Sequence, residues 1–273
     1  MRKWIYYLFI GIFAVIFLIS GLLLLDYYIK SNAAENTYHA LSDMVQQAKP
    51  TQPEETLPSQ EQTDDGYQHT HVRVTDPVAG DTLWLLPEYA ELYTMNTDVV
   101  GWIQIPGTRV NYPVMQTPDS PDYYLHRDFY KEKSNDGSIY VREECDVFKP
   151  SDNVTIYGHR MNSGNMFADL LKYKEKDFWE ENRYIRFDTL TQRNTYEIMA
   201  VFKISAMSDN GFQYHTYTDM NQERFAEFVS QCKNRSFYDT GITAQHGDKL
   251  ITLSTCEKGN SNMRIVVVAK KCE

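Results

Sequence analysis

LITLSTCEKGNSNMRIVVVA (250–269) reads as two β-strands on either side of a polar segment. Residues 250–253 and 265–269 are largely apolar and rich in β-branched side chains, the composition of buried strands, the second strand running over 264–269. Cys256 ends the first run, and Arg264 opens the second eight residues later. A short return between them brings both residues to the same end of a sheet. Upstream, further strand signals fall at 99–105, 110–115, 137–141, 154–157, 184–187 and 196–204. The first closes on the turn pair Pro106-Gly107. Helical signals interrupt the series at 86–95, with Pro87 in the first turn, at 166–173, and at 221–232. In the last of these, Phe225, Phe228 and Val229 share a face. Many short strands separated by turns predict a mainly β domain, a barrel or a sandwich and not a doubly wound sheet.

The chain ahead of this domain has two textures. Residues 5–25 form a run of 21 without a formal charge, about 30 Å of helix and enough to cross a bilayer. Arg2 and Lys3 precede it, so the positive-inside tendency puts the N-terminus in the cytoplasm and the bulk of the chain outside. A cleaved signal peptide is the alternative, with Ser31, Ala33 and Ala34 as small residues for a cut. Against it, the run exceeds the roughly 7–15 apolar residues of such segments. Residues 35–48 then carry Leu41, Met44, Val45 and Ala48 at helical spacing, and Pro50, Pro53 and Pro58 follow among polar side chains. The expected organisation is a cytoplasmic tip and transmembrane signal-anchor over 1–30, a helical and polar stalk over 31–79, and one β-rich domain over 80–273.

Composition narrows the function. Of 273 residues, 42% are hydrophobic, which supports a packed core and excludes wholesale disorder. Formal charge is −10, the wrong sign for a nucleic-acid footprint. Four scattered cysteines neither make a disulfide scaffold nor space a zinc site, and no EF-hand spacing is present. No metal and no cofactor is expected. Cys145, Cys232 and Cys272 leave at most one intramolecular disulfide if Cys256 stays free.

Cys256 on a strand edge has the rigid support a nucleophile needs, and its thiol is the best side-chain nucleophile near neutral pH. The competing reading is a buried structural thiol. His159 ends a second apolar run, 154–158, with Gly158 just before it permitting a close approach. An imidazole there can pair with a thiolate, act as base or protonate a leaving amine. The other six histidines, His126 and His215 among them, have no comparable setting. Arg264 can steady an oxyanion or orient a peptide carbonyl, or serve as an ordinary surface charge. Strand alternation sends Ser254 and Thr255 to opposite faces, so only one of them shares the pocket side. Glu257 follows the cysteine and either tunes its thiol or is a solvated loop carboxylate. Asp209 orients His159 only if the fold brings the two together.

Thr252-Leu253-Ser254-Thr255-Cys256 resembles the TLxTC motif of sortases, the cysteine transpeptidases of Gram-positive cell surfaces. Tyr157-Gly158-His159-Arg160-Met161, followed by Met166-Phe167 and Leu170, resembles their histidine region. The likeness is to class B: Asp98-Val99-Val100-Gly101-Trp102-Ile103 and Asn111-Tyr112-Pro113-Val114 look like its early barrel segments. The resemblance covers about 88–270. It implies a closed β-barrel with short peripheral helices, an N-terminal helical appendage and a helix inserted before the penultimate strand. It also implies His159, Cys256 and Arg264 as catalytic residues and favours Thr255 as support, with Ser254 packing or bonding locally. Implied partners are a secreted protein bearing a C-terminal sorting signal and an amine of a peptidoglycan precursor. A pilin lysine amine is the alternative acceptor, for a class B-like pilus polymerase.

A papain-like cysteine endopeptidase is the nearest competitor among enzymes, but such enzymes tend to place cysteine before histidine, the reverse of the order here. An adhesion domain would leave His159, Cys256 and Arg264 unexplained. The 20 Tyr, 13 Phe and 4 Trp would suit a glycan platform, though strands and cores favour the same residues.

Overall fold

The N-terminal apolar run opens a helix, α1 (Lys3–Ala48), in the computed structural model, which describes residues 3–49, 71–206, 212–257 and 259–272. The hairpin β1 (Val72–Thr75) and β2 (Thr82–Leu85) leads into α2 (Pro87–Met95). Then come β3 (Val99–Gln104), β4 (Asn111–Met115), β5 (Ile139–Val141) and β6 (Asn153–Tyr157). Short α3 (Lys176–Glu181) precedes β7 (Tyr184–Thr189) and β8 (Thr195–Ser205). Next is α4 (Gln222–Arg235), and β9 (Leu250–Glu257) and β10 (Asn260–Lys271) complete the series. Among the described residues, β3 to β10 close into a barrel in the order β10-β8-β7-β3-β4-β5-β6-β9. The β4–β5 and β6–β9 pairs are parallel and the rest antiparallel. Helix α4 falls before the penultimate strand, as the resemblance implied.

Alternation along the last two strands sorts their side chains between two cores. Ile251, Leu253, Val267 and Ala269 fill the barrel with Ile103, Val114, Ile156 and Phe187. Leu250, Val266 and Val268 face outward and are covered by Phe225, Phe228 and Cys232 of α4. The helix starts where Asn221 Oδ1 accepts the Arg224 N–H at 2.9 Å, a side-chain cap. Covering that face lets both sides of the β9–β10 pair be apolar, which is why the stretch reads as an unbroken hydrophobic run.

Three local features differ from the sequence reading. The apolar run and the 35–48 helix are one helix, because 26–34 contains neither Pro nor Gly to end it. Its C-terminal half is not a free stalk: Tyr38, Leu41 and Val45 are buried against the barrel and α2. The β1–β2 hairpin was not expected, and the 79/80 boundary falls in its turn; four-residue strands beside a polar linker give too short a pattern to read. Residues 50–70, the prolines of the expected stalk, lie outside the described residues.

The N-terminal part of α1 is long and apolar enough to cross a membrane, and none of its most apolar stretch is buried by the rest of the chain. Phe9, Phe13, Phe17 and Leu22 through Leu25 are all exposed.

Candidate active site

Residues 252, 254 and 256 share the outer face of β9 with Leu250, by the period of two. On β10 the outer set is 264, 266 and 268. Arg264 is the register partner of Cys256, so the two side chains stand opposite each other on adjacent strands and on one face. The register shifts between Asn260 and Arg264, so the regular pairing of the two strands is interrupted beside the site. Both residues are half-buried.

His159 arrives from β6, the parallel neighbour of β9. Thr255 points into the barrel and donates its hydroxyl to the Gly158 carbonyl at 2.8 Å, while Gly158 N–H bonds the Ser254 carbonyl at 3.2 Å. A Cβ on Gly158 would sit 2.4 Å from Ile139 Cδ1 and 2.7 Å from the Phe167 ring, so close approach, and not an unusual φ, requires the glycine. His159, Cys256 and Arg264 line one cavity of about 550 Å³ on the outer face of the barrel. Tyr140, Tyr157, Arg142 and the segment from Phe212 to His215 supply much of its remaining wall.

The Nε2 of His159 lies 2.7 Å from the Leu125 carbonyl oxygen. A carbonyl only accepts, so Nε2 carries the hydrogen and Nδ1 is the nitrogen left to exchange a proton. The ring stacks on His126, with centroids 5.6 Å apart and planes 25° apart. Burial pushes the His159 pKa below 6.5, opposed by the Leu125 bond and assisted by His126. Burial thus favours the neutral imidazole, the form that can act as a base.

Ser254 and Thr255 both line the cavity, by different contacts, where strand alternation led to the expectation of only one. Ser254, not Thr255, shares the face of Cys256, and its Oγ is 2.8 Å from the buried Tyr214 hydroxyl. Glu257 is no solvated loop carboxylate: it is 7% exposed, 2.5 Å from Lys174 Nζ and 3.4 Å from Lys203 Nζ. It sits on the strand face opposite Cys256. His126, grouped in sequence with histidines of no special setting, stacks on the His159 imidazole. Asp209 lies outside the described residues. All four cysteines are free, Cys145 and Cys232 being buried.

Sequence reasoning also missed Leu125 and Tyr214. A backbone acceptor leaves no side-chain signature, and Tyr214 is one tyrosine among 20.

The sortase-domain family profile matches residues 103–272. Sortase B of Staphylococcus aureus is 33% identical over 187 residues, 67% of this chain and 74% of that protein. Sortase B of Listeria monocytogenes is 34% identical over 185 residues, 67% of this chain and 73% of that protein. A solved Staphylococcus aureus sortase B–substrate complex superposes with a TM-score of 0.70 at 26% identity, covering 90% of this chain and 99% of that one. The chain therefore belongs to the sortase family, on its class B side, and is a cysteine transpeptidase acting on surface proteins.

Proposed function

We propose that this chain is a membrane-anchored transpeptidase that joins a secreted protein, through its C-terminal sorting motif, to an amine of the cell-wall peptidoglycan. The observation that carries the reading is the convergence of Cys256, Arg264 and His159 on one cavity. In the first half-reaction Nδ1 of neutral His159 takes the Cys256 thiol proton. The thiolate attacks the threonyl carbonyl carbon of the motif, and the Arg264 guanidinium bonds the oxyanion that forms. As the tetrahedral intermediate collapses, the C–N bond breaks and His159 passes its proton to the departing amine. A thioester on Cys256 remains. In the second half-reaction the incoming amine attacks that thioester, His159 takes the amine proton, and the Cys256 sulfur leaves and is reprotonated. Ser254 and Thr255 support the geometry through Tyr214 and the Gly158 carbonyl.

The exposed apolar half of α1 supports a membrane anchor, and Arg2 and Lys3 ahead of it support a cytoplasmic N-terminus with the barrel outside. An enzyme whose substrates are a membrane-tethered precursor and a cell-wall precursor works best on that outer face. The test incubates the protein with a library of sorting-motif peptides and seeks the thioacyl adduct by intact mass. The expected result is one adduct in the wild type and none in a folded Cys256→Ala variant. Acyl transfer by Cys256→Ala would remove the cysteine from the mechanism. Release of free acid with no transfer to an added amine would favour the endopeptidase.

A further inference from the structure

Tyr38 lies on the C-terminal half of α1 and is 5% exposed, with its ring edge-on to Tyr112 at 5.3 Å and 88°. Its hydroxyl donates to the Gly137 carbonyl at 2.8 Å and lies 3.1 Å from Ser138 Oγ. Gly137, at φ +60°, packs on the peptide that matters for catalysis: a Cβ there would stand 2.4 Å from the Leu125 carbonyl oxygen. That same oxygen accepts the His159 Nε2–H at 2.7 Å. Ser138 fixes the rest of the turn, with its N–H on the Tyr124 carbonyl at 3.0 Å and its Oγ donating to the Arg127 carbonyl at 2.9 Å.

From these contacts we infer that Tyr38 is a positioning residue for the reaction, acting on His159 through Gly137 and the Leu125 carbonyl. The inference rests on His159 as the acid–base group. A carbonyl that accepts a ring N–H also sets the plane of that ring, and catalytic groups lose rate steeply when tilted. Between the 3-10 turn at Tyr123–His126 and β5 the chain runs through an irregular segment, so its shape depends on what is packed against it. Tyr38 reaches that segment from the helix that carries the apolar run. The membrane helix thus becomes part of the active-site framework as well as a tether. A cut at Ala34 would leave Tyr38 in place, so the role holds whether or not the apolar run is removed.

The charged and titratable groups facing His159 are His126, Asp136, Arg264 and, across the cavity, Cys256, and those facing Tyr38 are Asp128, Asp136 and Tyr112. None of them is altered by Tyr38→Phe, which removes only the hydroxyl. The experiment uses the full chain in detergent micelles and compares wild type, Tyr38→Phe and Ser42→Ala. Ser42 lies on the same helix and accepts the Asn111 Nδ2–H at 2.5 Å, away from the segment that holds His159. Tyr38→Phe should lower kcat on the order of tenfold with little change in KM. The Leu125 bond favours the charged imidazole, so loosening it should also move the NMR titration of His159 to lower pH. That signal is assigned by its loss in His159→Asn. Ser42→Ala should change neither. An unmoved His159 titration in Tyr38→Phe, or equal changes in Ser42→Ala, would overturn the inference. If Tyr38→Phe does not fold, Ser138→Ala makes the same comparison. If the wild type transfers no acyl group, the transpeptidase reading fails, while the His159 titration still decides the contact.

Discussion

His159 spends one ring nitrogen on a backbone carbonyl, and that fixes its tautomer and leaves Nδ1 to exchange a proton. Burial holds its pKa below 6.5, so protonation costs the folded protein more than the unfolded chain. The sign follows. Above pH 6.5 neither state binds the proton and stability is unaffected. Below it the unfolded chain binds first, and stability falls with pH until the depressed pKa of the folded state is reached. His215, also lowered by burial, adds to the same trend. Urea unfolding at pH 7 and pH 5.5 should therefore show a smaller loss in His159→Asn than in the wild type; an equal or larger loss would contradict the buried neutral imidazole. Arg264 makes a different demand. A guanidinium facing Cys256 across two strands offers a planar fork, which a lysine ammonium does not reproduce. Arg264→Ala should lose roughly 10²–10³ in kcat/KM, and Arg264→Lys should recover little of it. Wild-type kcat/KM in Arg264→Lys would reduce the residue to a generic positive charge. Cys256, His159 and Arg264 were recognisable as candidates because each marks the edge of an apolar strand and falls in or beside a stretch that resembles the sortase motifs, and the fold brings the three to one cavity. Leu125 was not, since any residue supplies the same carbonyl.

At the scale of elements, the β9–β10 pair carries more than its sequence announces. Its apolar cores at 250–253 and 265–269 were readable, yet the strands run on through Glu257 and from Asn260, where the sequence looks polar. What extends them is tertiary. Glu257 is held by Lys174 from the 3-10 turn after β6 and by Lys203 from β8, contacts that no local pattern encodes. The carboxylate is buried while the two lysines are about one-third and two-fifths exposed, at 34% and 42%, so solvent screens the pairing in part. Glu257→Gln should then destabilise the protein by about 1–2 kcal/mol, below the cost of breaking a fully buried pair. It should leave thioacyl formation intact, because the side chain lies on the face away from Cys256. Thermal unfolding and adduct yield measured on the same sample check this; a stable variant that forms no adduct would give Glu257 the thiol-tuning role. The β1–β2 hairpin and α3 escaped notice because four to six residues hold too little of either period to stand out.

On the scale of the whole molecule, the helix that bears the apolar run also packs on the barrel, and this limits where the active site can work. Tyr38 lies about 20 Å along α1 from Leu25, the end of the charge-free run. Packing of Tyr38, Leu41 and Val45 then holds the barrel close to that end instead of letting it roam on a flexible tether. The same Cys256 chemistry serves wall anchoring and pilus assembly, which differ in the amine that resolves the thioester. On the proposed reading, a wall precursor still attached to the membrane through a lipid would offer its amine close to that end of α1. A growing pilus must bring a folded subunit's lysine to the same place. The short reach favours the first, in keeping with the class B resemblance. Deleting the gene in its host and resolving cell-wall digests by size should therefore abolish one discrete wall-linked protein and leave high-molecular-mass material unchanged. Collapse of a covalent ladder in the deletion strain would instead assign the acceptor to a pilin lysine. A chain released from the membrane by cutting after Ala34 should keep Tyr38 on the barrel and so retain peptide cleavage, while losing transfer to the lipid-linked acceptor in membranes. Retained transfer at the wild-type rate would show that proximity to the bilayer contributes nothing to the choice of amine.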